Sequence, residues 1–151
     1  MSNDGSYESQ HPDLFKPDRI VLLDGVIQSR STAEEAYHEA LVHPALFTHE
    51  NPKRVAIIGG GEGATLREVL KHKTVETAIM VEIDEAMVQI SRQYIPTWND
   101  CSDILGSTNC CLDDPRADMH YEDAMGWFIQ RYGEDVKKKA EPLDVIIMDA
   151  L

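Results

Sequence analysis

Apolar and polar positions fall into short blocks along this chain. Arg19 to Leu23 and Val26 to Ser29 are two apolar runs flanking Asp24-Gly25, a dipeptide that tolerates the positive φ of a two-residue hairpin turn. A β-hairpin is predicted there. Thr32-Ala33-Glu34-Glu35 has the form of a capping box, and Ala36, Tyr37, Ala40, Leu41 and Leu46 recur at helical spacing, which predicts a helix from Ala33 to Leu46. After Asn51-Pro52 the pattern becomes strand, turn and helix in repetition. Arg54 to Ile58, a glycine turn and Thr65 to His72 make one such unit. Ala78 to Ile83 and a helix from Glu85 to Tyr94, capped by Asp84 and ended by Pro96, make the next. Thr97 to Pro115 has no period and reads as a surface insertion without a mechanism. Asp118 to Tyr121 is a short strand, Ala124 to Tyr132 a helix, and Leu143 to Met148, apolar throughout except for Asp144, a run of the kind that forms a buried parallel strand.

Alternating strands and helices with a glycine turn after the first unit's strand predict an α/β fold. Its sheet is open and parallel, with helices on both faces and ligands beyond the carboxyl ends of the strands. Four strands in the order 3-2-1-4 leave the last as an open edge, so the chain is expected to be the front half of something larger. Three segments are expected: a disordered tail over 1–18, a β-hairpin with a gate helix over 19–50, and the ligand-binding sheet over 51–151.

Composition narrows the choice. The chain has 151 residues, is 42% hydrophobic and carries a formal charge of −13, which repels nucleic acid and anionic membranes and suits a cationic partner. Its amino terminus lacks the basic and apolar regions of a secretory signal, so a cytoplasmic location is expected. Cys101, Cys110 and Cys111 form an odd set that matches neither a disulfide framework nor a zinc knuckle, and they are expected to be reduced thiols. His38 and His43 miss the H-E-x-x-H spacing by one residue, so no metal is expected.

The candidate chemistry lies at the predicted strand ends. Gly59-Gly60-Gly61-Glu62-Gly63 joins a strand to a helix, and Gly59 and Gly61 let a ligand approach the backbone. Glu82, twenty residues beyond Glu62, closes the second strand, where a carboxylate can accept both hydroxyls of a ribose. Glu62 within the turn would repel a pyrophosphate, which favours a cationic nucleoside. Asp123-Ala124 follows the third strand and Asp149 closes the fourth. Glu62, Glu82, Asp123 and Asp149 are therefore expected to converge on one edge.

With these residues in view, Asp24-Gly25-Val26-Ile27-Gln28, Tyr37-His38-Glu39, His43-Pro44, Gly59 to Gly63, Leu66-Arg67-Glu68-Val69, Val81-Glu82-Ile83-Asp84 and Asp123-Ala124 together resemble the spermidine synthase family, the polyamine aminopropyltransferases. Glu62, Tyr37-His38-Glu39 and His43-Pro44-Ala45-Leu46 look most like its thermospermine synthases. The resemblance implies a Rossmann-like, class I S-adenosylmethionine-binding sheet, truncated after the fourth strand. It also implies decarboxylated S-adenosylmethionine as co-substrate, with no permanently bound cofactor, and a polyamine acceptor, putrescine or spermidine.

By that likeness Asp149 is the general base, the first acid of a D-x-x-D motif whose second acid lies beyond Leu151. Gln28, Gly59, Gly61, Glu62, Glu82, Asp123 and Ala124 bind the donor; Tyr37, His38 and Glu62 hold the acceptor. Two other readings remain open: a class I methyltransferase using intact S-adenosylmethionine, and a non-catalytic truncated binding module. A two-stranded hairpin is not stable alone, so a homo-oligomer, dimer or tetramer, is expected of the full-length protein.

Overall fold

The computed structural model describes residues 18–150. Strands β1 (Ile20–Leu23) and β2 (Val26–Arg30) pair antiparallel. Asp24 and Gly25 take φ of 50° and 79°, the two left-handed positions of the predicted turn. The tail expected over 1–18 lies outside the described residues except for Asp18, whose carboxylate accepts hydrogen bonds from Arg30 and Ser31 and so closes the ribbon.

This hairpin belongs to one compact unit, ending at Ala33; the second begins at Glu34. The helix expected to group with the hairpin over 19–50 therefore counts with the sheet. Helix α1 (Glu34–Thr48) starts one residue later than predicted and runs through Pro44. The capping box does not form as written, because the backbone N–H of Thr32 donates to Asp18.

The second unit holds strands β3 (Arg54–Gly59), β4 (Thr77–Glu82), β5 (Ala117–Tyr121) and β6 (Val145–Asp149). Their order is β5-β4-β3-β6 with every pair parallel, which is the predicted 3-2-1-4. Helix α2 (Ala64–Leu70) follows β3, α3 (Glu85–Tyr94) follows β4 and α4 (Ala124–Tyr132) follows β5. Alternation along the central strands sorts side chains between the two faces. Val55, Ile57, Ala78 and Met80 pack with Val42, Leu46, Leu66, Val69 and Val88 on one side. Ile79 and Val81 pack with Trp127 on the other.

Two sequence expectations are corrected. The run closing the chain reads as a strand buried on both faces, but β6, the expected edge, buries only one of them: Val145 and Ile147 are buried while Ile146 and Met148 stay 53% and 64% exposed. Only one of its faces is covered among the described residues. The segment after α3 is also not a surface insertion. It forms two short 3-10 turns, Pro96–Asn99 and Cys111–Asp113, and buries Trp98, Cys101, Cys111 and Leu112. Irregular backbone has no repeat by which hydrophobic periodicity could reveal burial.

The cysteines depart from expectation in the same segment. Cys101 and Cys111 form a disulfide and Cys110 is free. Closing a loop with a sequence separation of 10 stabilises by roughly 3 kcal/mol on the chain-entropy model. Cys101→Ser should therefore lower the unfolding free energy by about 2–3 kcal/mol in urea titration. A thiol assay should find one reactive group in the unfolded oxidised protein and three after reduction; three before reduction would refute the bond.

Candidate active site

Parallel pairing brings the ends of the four strands to one edge, where Gly59 stands opposite Asp149 and Glu82 opposite Tyr121. The chain must turn sharply out of β3 to enter α2. Gly59 and Gly63 adopt φ of 81° and 83°, and a Cβ at Gly59 would lie 2.4 Å from the Asp149 carbonyl oxygen. Glycine is required there both by conformation and by space. A Cβ at Gly61 would lie 3.1 Å from Glu82 Oε2, so turn and carboxylate adjoin.

Around Asp149 the described residues form one cluster. The Thr65 hydroxyl donates to Oδ2 and the Tyr37 hydroxyl to Oδ1, the latter at 3.4 Å. His38, fully buried on α1, turns Nε2 toward Glu62 Oε1 at 3.6 Å and Asp149 Oδ2 at 3.9 Å. That nitrogen has no hydrogen-bond partner among the described residues. Its other ring nitrogen, Nδ1, lies 2.6 Å from the Glu34 carbonyl oxygen, a contact that holds the ring in place. Tyr37, His38, Glu62 and Asp149 thus lie together.

Glu82 forms a second point. It is buried, and its Oε1 accepts the Asp84 N–H at 2.9 Å; Asp84 in turn caps α3 as predicted. Asp123 caps α4, accepting from the Gly126 N–H at 2.6 Å, with Ala124 opening the helix. All four acids therefore sit at the carboxyl ends of the strands. Gln28 lies on β2, in the hairpin's own unit.

Charge within the cluster is finely poised. Burial opposes the charged imidazole of His38, but its contact with Glu34 and the nearby Glu62 and Asp149 carboxylates outweigh it and raise its pKa to about 9. Burial also raises the Asp149 carboxyl above its ordinary value, reinforced by the Glu62 charge and opposed by Thr65, His38 and Tyr37. For Tyr37, burial and then Asp149 push the phenol upward. Because the His38 pKa lies above its ordinary 6.5 in the folded state, its contribution to stability is complete below that value and is lost as pH rises through about 9. Unfolding free energy is expected to fall between pH 7 and pH 10, and His38→Gln should flatten that slope in denaturant titrations.

Several contributors were not singled out from the sequence. Thr65, Glu34 and Arg67 act through tertiary contacts, and Asn99 donates from Nδ2 to the Glu62 carbonyl at 3.3 Å from the segment read as an insertion. Only the Leu66-Arg67-Glu68-Val69 motif drew attention to Arg67, without giving it a role. Elsewhere Glu39, His43 and Glu68 have potential ligand atoms within 4.8 Å of one another. Glu68 there is already paired with Arg67 and Lys71, at 2.8 and 2.7 Å, so a metal ion would have to compete with two resident cations.

Comparison with known proteins agrees with this geometry. Residues 34–151 match the family model described as the spermine/spermidine synthase domain. A polyamine aminopropyltransferase of Hyperthermus butylicus is 47% identical over 131 residues, covering 87% of this chain and 40% of the relative. One from Thermococcus onnurineus is 45% identical over 132 residues, covering 87% and 40%. Among solved structures, spermidine synthase from Thermotoga maritima superposes with a TM-score of 0.71 at 38% identity, covering 87% of this chain and 40% of that one. A spermidine synthase in complex with the transition-state analogue AdoDATO superposes with a TM-score of 0.72 at 37% identity, covering 87% and 39%. The chain spans about 40% of the length of the curated relatives it matches.

Proposed function

The chain belongs to the spermine/spermidine synthase family, and from that premise we propose that it serves aminopropyl transfer from decarboxylated S-adenosylmethionine to a polyamine, putrescine or spermidine, with no permanently bound cofactor. The observation that carries this reading is the convergence of Glu62, Glu82, Asp123 and Asp149 at the carboxyl ends of β3, β4, β5 and β6. The donor carries a sulfonium and an ammonium, and the acceptor carries further ammonium groups. Fixed carboxylates offset their mutual repulsion in a partly desolvated crevice.

In this reading Glu82 uses Oε2 for the ribose hydroxyls, since Oε1 is engaged by Asp84. Asp123 and Ala124 face the adenine beside Gly59 and Gly61. Tyr37, His38 and Glu62 hold the amine-bearing chains. Asp149 takes a proton from the attacking amine, the nitrogen bonds to the carbon beside sulfur, and the carbon–sulfur bond breaks with its electron pair going to sulfur. Neutral methylthioadenosine leaves. Glu62 disfavours intact S-adenosylmethionine, whose carboxylate it repels.

No helix among the described residues is long and apolar enough to cross a membrane. Net charge of −13 supports a small cationic substrate over nucleic acid or anionic membrane, and a cytoplasmic location suits that substrate. A two-stranded hairpin is marginal by itself, which supports a homo-oligomer; sedimentation of a monomer at micromolar concentration would refute it.

Calorimetric titration with decarboxylated and with intact S-adenosylmethionine tests the function. At least tenfold tighter binding of the decarboxylated form is expected, about 1.4 kcal/mol, and Glu62→Gln should narrow that ratio. Preference for the intact form would replace this reading with a methyltransferase. Binding of neither by the folded chain would leave a non-catalytic module.

A further inference from the structure

We propose that Arg67 is a positioning residue for this site, setting the separation of His38 and Glu62 from both sides with one guanidinium. The proposal rests on the aminopropyl-transfer reading for what the site binds, but its geometry stands independently. Arg67 is 6% exposed on α2. Its Nη1 and Nη2 donate to Glu34 Oε1 and Oε2 at 3.2 and 2.9 Å, a two-pronged grip that only a planar fork can make. Glu34 holds His38 in turn: its carbonyl oxygen lies 2.6 Å and its Oε2 3.3 Å from Nδ1. That is the first arm.

The second arm leaves the same guanidinium in another direction. Nη1 also donates to the Trp98 carbonyl at 2.9 Å, fixing the turn that ends in Asn99. Asn99 donates to the Glu62 carbonyl, and its Cβ lies 2.7 Å from where a Cβ on Gly63 would stand. Nε, meanwhile, is anchored on Glu68 Oε1 at 2.8 Å. Both arms terminate at one gap, the 3.6 Å between His38 Nε2 and Glu62 Oε1.

Lysine keeps the charge at this position but cannot grip Glu34 with two prongs while also reaching the Trp98 carbonyl and Glu68. A buried ion pair that merely tied α1 to α2 would leave the gap unaffected by such a change. Charge around the imidazole comes from Glu34 on its own helix, Glu62 on the glycine turn and Asp149 on β6, with the Tyr37 ring packed alongside. Burial works against protonation of His38, yet these acids keep the ring charged up to about pH 9.

The test is made on the whole chain without requiring turnover. Imidazole C–H resonances followed by NMR should show His38 titrating near 9 in the wild type and back toward 6.5 in Glu34→Gln. Arg67→Lys should weaken decarboxylated S-adenosylmethionine about tenfold while changing methylthioadenosine, which lacks the amine, less than about twofold. A wild-type His38 that titrates at its ordinary value overturns the proposal even if both variants fail to fold. So does a folded Arg67→Lys protein whose melting temperature falls while both affinities hold. Should neither ligand bind the wild type, the donor reading fails, and the His38 titrations still decide whether the first arm exists.

Discussion

Asp149→Asn is expected to lower kcat/KM for aminopropyl transfer by roughly 10³-fold, with donor affinity changed by no more than about threefold. Asparagine keeps the size of the side chain but only one acceptor oxygen, so it can receive one of the two hydroxyls that Asp149 receives on separate oxygens, Thr65 on Oδ2 or Tyr37 on Oδ1. It cannot take a proton from an attacking ammonium. Because burial and the Glu62 charge raise the Asp149 pKa above 3.8, the wild-type rate should climb as pH increases through that raised value, where the carboxyl ionises. The variant should lack this limb. Steady-state release of methylthioadenosine across pH by the active protein measures both effects. Wild-type turnover in the variant, or an unchanged acid limb, would remove Asp149 from the role of base.

Gly59→Ala is expected to cost on the order of 4 kcal/mol of folding stability, combining left-handed backbone strain with overpacking against fixed backbone. The added Cβ would lie 2.4 Å from the Asp149 carbonyl oxygen and 3.0 Å from its carbon, at a residue with φ of +81°. Neither neighbour is a flexible side-chain end, so β3 and β6 would have to separate where Gly59 and Asp149 stand in register. Gly106→Ala is the control. Its φ is +87° but nothing lies within 4 Å of the added atom, so strain alone should cost only about 1–2 kcal/mol. Urea denaturation of the two variants separates the contributions; equal losses would mean that the close approach to Asp149 relaxes without cost.

Local pattern determined much of this protein. The turn at Asp24-Gly25, the strand–turn–helix repeats, the cap at Asp84 and the extent of α4 were all legible, because each depends on neighbours a few residues away: a left-handed φ, an orphan N–H, a period of two or of 3.6. Even the order β5-β4-β3-β6 followed from that repetition, since crossovers in a parallel sheet allow few alternatives. The gathering of Glu62, Glu82, Asp123 and Asp149 was legible for the same reason. An acid at the end of a parallel strand comes to the same edge as the ends of its neighbours.

What the sequence did not disclose depends on contacts between distant segments. Cys101 and Cys111 meet because two irregular turns fold back on each other, and no spacing rule announces that. Leu143 to Met148 reads alike whether one face is covered or two, and Ile146 and Met148 are exposed because their face of β6 is left uncovered among the described residues. Arg67 and Glu34 lie 33 positions apart, and Asn99 and Glu62 lie 37 apart. Each is an ordinary polar residue by type; only the fold removes water from around them, and it is this desolvation that turns a guanidinium and its carboxylates into the frame that holds His38.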